Sequence, residues 1–124
     1  MVKLKKVYLE KRGIESILSP LECDVIRLLW KKDEAKVREI YSILKRNRKV
    51  ALTSVAVILD RLHQKGIVSR TIEMGRGGGH YIYYPKASKH EFEESVVDHT
   101  VKKLMNNFGP VAVNYFYRRF SKRK

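Results

Sequence analysis

Apolar positions recur with helical spacing in three segments of the first half of the chain. The predicted helices run over 20–31, 36–46 and 52–65. Ser19 and Glu22 stand where a capping box places them at the start of the first helix, with Pro20 at its first position. Gly66 follows the third apolar face and is placed to end that helix in the left-handed conformation. The pattern therefore predicts three short helices in succession.

The hydrophobic period then changes from helical spacing to alternation. Residues 67–73 and 80–84 are each predicted to form a strand, and Pro85 ends the second. The segment 75–79 between them consists of four glycines and Arg76, which is typical of a loop. These features predict a β-hairpin with a basic, flexible tip.

Two further helices are predicted near the C-terminus, over 89–107 and 111–120, separated by Gly109 and Pro110. Ser88 and Glu91 form a capping-box pattern at the start of the first of these two helices. Their apolar surface is larger than a small three-helix core can cover, and such a surplus usually marks an interface. We therefore predict a homodimer whose interface is formed by Phe92, Val96, Val97, Val101, Leu104, Met105, Phe108, Phe116 and Phe120. The alternative is that both helices fold back onto the first helix of their own chain.

The order of elements predicts a mainly α fold with a small β-hairpin: a winged helix-turn-helix followed by C-terminal dimerisation helices. Residues 1–18 are taken as an N-terminal extension, with a strand, an extra helix or a mobile arm all open. Residues 19–85 form the predicted winged-helix DNA-binding domain. Residues 86–124 form the predicted C-terminal helical dimerisation region with its basic tail. The length of 124 residues suits this organisation.

Charge narrows the classes of partner. The chain has 27 Lys and Arg against 13 Asp and Glu, a formal net charge of +14, which favours a polyanion: nucleic acid first, an acidic membrane surface second. No apolar run is long enough to span a membrane and no signal peptide is visible, so we expect a cytoplasmic protein without a membrane partner. The single Cys23 excludes an internal disulfide and a cysteine-rich metal site.

Double-stranded DNA is the predicted partner, because one α-helix fits the major groove. The third helix offers short or apolar side chains and one arginine, and the basic run before it suits the sugar–phosphate backbone. The wing adds an arginine and a histidine. The predicted DNA-binding residues are Arg46, Arg48, Lys49, Thr53, Ser54, Ala56, Val57, Arg61, Arg76 and His80. The sequence displays no nucleophile with a base and no metal-ligand cluster, so we expect neither enzymatic activity nor a cofactor or metal.

Several segments resemble the penicillinase-repressor family (the BlaI, MecI and CopY type). They are Ser19-Pro20-Leu21-Glu22, Leu28-Leu29-Trp30, Val37-Arg38-Glu39-Ile40, Leu59-Asp60-Arg61-Leu62 with Lys65-Gly66, and Tyr81-Ile82-Tyr83-Tyr84-Pro85. The resemblance covers about residues 19–85, and 86–120 match in layout. It implies a winged-helix transcriptional repressor that binds a palindromic operator as a homodimer through its C-terminal helices. The implied DNA contacts fall on Thr53, Ser54, Ala56, Val57, Arg61 and the wing.

The chain departs from the pattern of this family in several ways. Ala56 and Val57 are apolar where relatives often place polar base-reading residues, so a shared operator is not expected. The cysteine cluster of the copper-responsive branch is missing, which argues against copper sensing. The resemblance leaves open a regulatory protease, for which Asn107-Phe108 is a weak match, or a small-molecule inducer of unknown identity.

Two other functions remain open from the sequence. One is a non-specific architectural protein that binds double-stranded DNA with the same fold. The other is a protein-interaction module that uses the aromatic C-terminal surface.

Overall fold

The structure, a computed structural model, describes residues 6–121. Five α-helices and three strands occur in this part of the chain, with a short 3-10 turn at Gly13–Ser16 before them. In chain order they are α1 (Pro20–Lys32), β1 (Ala35–Lys36), α2 (Val37–Leu44), α3 (Leu52–Gln64), β2 (Val68–Gly75), β3 (Gly78–Pro85), α4 (Lys89–Phe108) and α5 (Pro110–Ser121).

The start of α1 follows directly from its sequence. The Ser19 hydroxyl accepts a hydrogen bond from the Glu22 amide (3.3 Å), and the Glu22 carboxylate accepts one from the Ser19 amide (2.9 Å). Two of the amides that a helix start leaves unpaired are thereby satisfied. The buried face of α1 is Cys23, Val25, Ile26 and Leu29, whereas Leu21 and Leu28 are only half-buried.

Helix α3 has one buried face and ends at a glycine. Val55, Ile58, Leu59 and Leu62 are buried, so the opposite face of α3 turns to solvent. Gly66 has φ +78°, a conformation that costs little only for glycine, and it ends the helix where the sequence predicts. The chain then turns directly into β2.

The sheet has the order β1-β3-β2, and both pairings are antiparallel. The hairpin of β2 and β3 is longer than predicted, because only Arg76 and Gly77 form its turn and the neighbouring glycines still pair. Strand β1 was not among the predicted elements. Ala35 pairs with Tyr83 and is buried, so β1 forms the edge of the sheet beside β3.

The core lies between α1, α2, α3 and the sheet, and it extends beyond the predicted domain. Ile14 and Leu18 are buried in it, so the end of the N-terminal segment folds with the winged helix rather than as a separate extension. From Lys6 to Arg12 the chain is irregular. The Tyr8 amide donates to the carbonyl of Ser16, and the Lys11 amide donates to the carbonyl of Tyr8 (3.0 Å). Residues 1–5 and the basic tail at 122–124 lie outside the described residues.

Helix α4 attaches to this core at its first turns. Ser88 caps it in a capping box with Glu91, as predicted. Phe92 is 2% exposed and lies 6.1 Å from Trp30, ring centroid to ring centroid, and the Trp30 indole N–H donates to the Ala87 carbonyl (3.0 Å). Phe92 therefore belongs to the core of its own chain, which corrects its assignment to a surface that meets a second copy. Helix α5 buries none of its described residues.

Candidate nucleic-acid interface

The outward face of α3 carries every residue that we predicted to contact bases. Thr53, Ser54 and Arg61 are exposed, Val57 is 49% exposed, and Ala56 is half-buried. Helical spacing puts Thr53, Val57 and Arg61 in one row, because residues four apart lie above one another. The row is about 12 Å long at 1.5 Å per residue, enough to follow several base pairs.

The basic run after α2 lies in the connection that leads into α3. Arg46 and Lys49 are exposed, and neither forms an ion pair within residues 6–121. Arg48 differs, because its guanidinium lies 2.6 Å from the Asp24 carboxylate of α1. Arg46 and Lys49 thus keep their charge available for phosphates, whereas the charge of Arg48 is already compensated on the protein.

Arg61 is not tied to its neighbour Asp60. The Asp60 carboxylate instead accepts hydrogen bonds from Arg70 of β2 (3.0 Å) and from Gln64 (2.9 Å). Within the described part of the chain no carboxylate lies within ion-pair distance of Arg61. The guanidinium of Arg61 is therefore free to donate to a guanine edge or a phosphate.

The tip of the hairpin projects Arg76 into solvent. Gly77 has φ +83° and no atom would contact a β-carbon there, so glycine is needed for the backbone conformation and not for space. His80 Nε2 lies 3.3 Å from the Arg76 carbonyl oxygen. Through that contact the His80 side chain packs on the wing tip and stabilises it, and it does not point freely into solvent.

Two ion pairs that sequence reasoning missed fix the wing against the helices. Arg70 bonds Asp60 of α3 and stacks 4.1 Å above the Tyr81 ring. Lys36, just before α2, lies 2.8 Å from Glu73 of β2. The hydrogen bond between them raises the pKa of Lys36 and lowers the pKa of Glu73. The partners are 10 and 37 residues apart, so no local spacing indicated them.

A notch of about 450 Å³ lies between the wing and α3. Its walls come from β1, the start of α2, α3 and β3, and the residues are Lys36, Val37, Arg38, Leu52, Thr53, Ala56, His80 and Tyr81. The wing and the N-terminal half of α3 therefore present one continuous surface. The structure thus brings the predicted base-reading residues and the wing together. The basic run lies apart from the notch, in the connection between α2 and α3.

The remaining predicted interface residues lie on α4 and α5. Val97, Leu104, Met105, Phe108 and Phe120 are exposed. Val96, Val101 and Phe116 are half-buried, and Val96 packs against the core. Apart from Phe92, these side chains leave a long apolar surface uncovered in the single chain.

Other chemistry is sparse in the part of the chain that the structure describes. No three His, Cys, Asp or Glu side chains of residues 6–121 are grouped so that they could hold a metal ion. None of the described helices combines the length and the apolar character that crossing a membrane requires. Cys23 is buried, and desolvation raises the pKa of its thiol.

Three helices, a hairpin wing and an exposed face on the third helix define a winged-helix protein. The family model described as "Penicillinase repressor" matches residues 18–123. The chain therefore belongs to the penicillinase-repressor family of DNA-binding repressors, as the resemblance of its motifs predicted.

Solved structures of low sequence identity share the fold. A possible transcriptional regulator from Methanosarcina mazei Go1 is 18% identical, with a TM-score of 0.60 over 73% of this chain and 77% of the other. A PadR family transcription regulator from Clostridium difficile R20291 is 18% identical, with a TM-score of 0.51 over 73% and 98%. YusO from Bacillus subtilis is 18% identical, with a TM-score of 0.50 over 86% and 77%. No curated protein matches significantly.

Proposed function

We propose that this protein is a sequence-specific transcriptional repressor that acts in the cytoplasm by covering a palindromic operator as a homodimer. The observation that carries the proposal is the outward face of α3. It is an exposed row of Thr53, Val57 and Arg61 that continues into the wing, on a chain with a net charge of +14.

Each part of this surface has a distinct task in the proposed complex. The α3 row enters the major groove, where the Val57 methyls contact a thymine methyl and Arg61 donates to guanine or to a phosphate. Arg46 and Lys49 contact the sugar–phosphate backbone, which positions the protein without reading sequence. Arg76 reaches the rim of the adjacent minor groove, where a narrow groove concentrates negative potential.

The uncovered apolar surface of α4 and α5 supports the homodimer. Exposed side chains as large as Phe108 (60% exposed) and Phe120 (56%) are unfavourable in water unless a partner covers them. A two-fold dimer formed through this surface would hold two reading helices at a fixed separation. The half-sites of its operator should then lie about one helical turn apart or a multiple of it.

Genome-wide footprinting of the bound protein tests this proposal. We expect discrete sites near promoters that share an inverted repeat with the predicted spacing. Diffuse coverage without a shared sequence would contradict repression of specific genes. It would favour an architectural DNA-binding protein, to which the apolar Ala56 and Val57 and the dispersed positive charge also point.

A further inference from the structure

The wing exposes two large apolar side chains that neither the core nor the predicted dimer interface uses. Ile72 is 62% exposed and Met74 is 76% exposed, both on β2. The residues nearest the tip of the hairpin are mostly glycines. Exposed apolar residues are ordinary when scattered singly, but these two are adjacent on one face.

The register of the hairpin shows that they share this face. Ile72 pairs with Tyr81 and Met74 pairs with Gly79, and side chains two apart on a strand point to the same side. A β-carbon at Gly79 would come within 3.0 Å of the Ile72 Cγ2 and 3.3 Å of the Met74 Sδ. The two side chains therefore lie over the glycine and form one apolar patch.

The patch opens toward the side of the molecule that carries the reading helix. Arg70 stands on the same face of β2, two residues before Ile72, and its guanidinium is bound to Asp60 of α3. Tyr81, the cross-strand partner of Ile72, lines the notch together with Thr53 of α3. The patch therefore continues the surface that we assign to DNA.

Charge around the patch fits a polyanion better than another apolar protein surface. Arg76 follows the patch at the tip, and Arg70, which precedes it along β2, is paired with Asp60. Glu73 is the one carboxylate of the hairpin sequence 68–85, and it points to the other face, where Lys36 binds it. A phosphate backbone that approaches the patch therefore meets no repelling carboxylate on this face of the hairpin.

We propose that Ile72 and Met74 form an apolar wedge that enters the minor groove next to the major groove bound by α3. This inference rests on the proposed DNA-binding function. Adjacent same-face positions of a strand are about 7 Å apart, and the minor groove is about 6 Å wide and lined by apolar sugar edges. Ile and Met are residue types that minor-groove proteins insert in this way.

The wedge predicts a loss of affinity that does not depend on salt. In the full-length protein, Ile72→Ser with Met74→Ser should raise the Kd for duplex DNA about ten-fold or more, since burying such side chains is worth at least one factor of ten. The slope of log Kd against log salt concentration should stay unchanged, because no counterion release is lost. The probes are a footprinted site and a mixed-sequence duplex at low salt, with or without the minor-groove ligand distamycin.

Two control variants separate the wedge from other effects. Arg76→Ala on the same hairpin should reduce the salt slope by about one, which is the behaviour of a lost phosphate contact. Leu9→Ser removes an equally exposed apolar side chain (75% exposed) in the N-terminal segment, outside the hairpin, and should leave DNA binding unchanged. Thermal unfolding of each variant should match the unsubstituted protein, because all the replaced side chains are largely exposed.

The outcomes are decisive. A weaker Kd with an unchanged slope, together with competition by distamycin, supports the wedge. An unchanged Kd overturns it, and so does a change of oligomeric mass without a change in affinity, which would assign the patch to a second copy. If the unsubstituted protein binds no duplex even at low salt, the proposed function fails as well, and that result differs from all the others.

Discussion

Glu22 shows how a single buried carboxylate joins two helices. It is 5% exposed, caps α1 through the Ser19 amide, and lies 2.7 Å from the Lys65 ammonium just after α3. Burial alone would raise the pKa of Glu22, but the hydrogen bonds from Lys65 and Ser19 outweigh it, so the pKa lies below its ordinary value. The ionised form therefore stabilises the folded protein.

The free energy of unfolding should depend on this group in acid. Because the pKa of Glu22 is lower in the folded state, its contribution is present above the ordinary value of 4.5 and is lost as the pH falls below it. Glu22→Gln keeps a capping side chain but removes the charge, so we expect a loss of about 2 kcal/mol at neutral pH. Urea unfolding at pH 7 and pH 3 checks this. An equal difference between the two proteins at both pH values would contradict it.

Arg61 and Lys49 should differ in what they contribute to DNA binding. Arg61→Ala should relax sequence preference at one base pair, at a cost of about 1–3 kcal/mol on the preferred site. Lys49→Ala should weaken all duplexes alike and reduce the salt slope by about one. Binding titrations on matched and mutated sites at several salt concentrations distinguish the two. Equal losses on every sequence for Arg61→Ala would assign it to a phosphate instead.

Among the helices and strands, the sequence predicted those features that depend only on residues close together in the chain. Both serine capping boxes, the glycine end of α3 and the hairpin were predicted, because caps and turns are determined within about four residues. Strand β1 and the burial of Phe92 were not. Ala35 is part of a strand because it pairs with Tyr83 of β3, and Phe92 is buried because it packs against Trp30. Both contacts join residues that are far apart in the chain.

The same distinction applies to the candidate interface. The outward face of α3 could be predicted from its period, since the residues opposite its apolar stripe must face solvent. The pairing of Arg48 with Asp24 could not, nor could the ion pairs that hold the wing. Their partners come together only when the helices pack.

The cap of α4 gives an element-scale prediction. Ser88→Ala removes the hydroxyl that accepts from the Glu91 amide (3.1 Å) and should lower the free energy of unfolding by about 1 kcal/mol. Ser42→Ala, at an exposed position inside α2, is the matched control and should be close to neutral. Chemical unfolding followed by circular dichroism measures both. Equal effects of the two changes would show that the cap contributes nothing specific.

At the scale of the whole molecule, the chain divides into a buried winged helix and two helices with a largely uncovered apolar surface. Helix α5 has no buried residue among those described, and the one buried residue of α4 is Phe92. A helix without burial gains little from its own chain. The proposed dimer would supply that burial and place two reading helices on one duplex.

Disruption of this surface should separate dimer formation from folding. Phe108→Asp introduces a charge at a 60% exposed apolar position of α4, so it should give a monomer by sedimentation velocity while the winged helix stays folded. Leu9→Asp, at a 75% exposed position outside both C-terminal helices, is the control and should leave the mass unchanged. A dimer that persists in Phe108→Asp would place the interface elsewhere.

Specific recognition of an operator by this protein can be measured as one ratio of affinities. The Kd for a footprinted site and the Kd for a scrambled duplex of the same length are measured in the same buffer, because DNA affinities depend steeply on salt. We expect the protein to bind the footprinted site more tightly by a factor of about 10³ or more. A ratio near one would contradict a specific repressor and leave an architectural DNA-binding protein in its place.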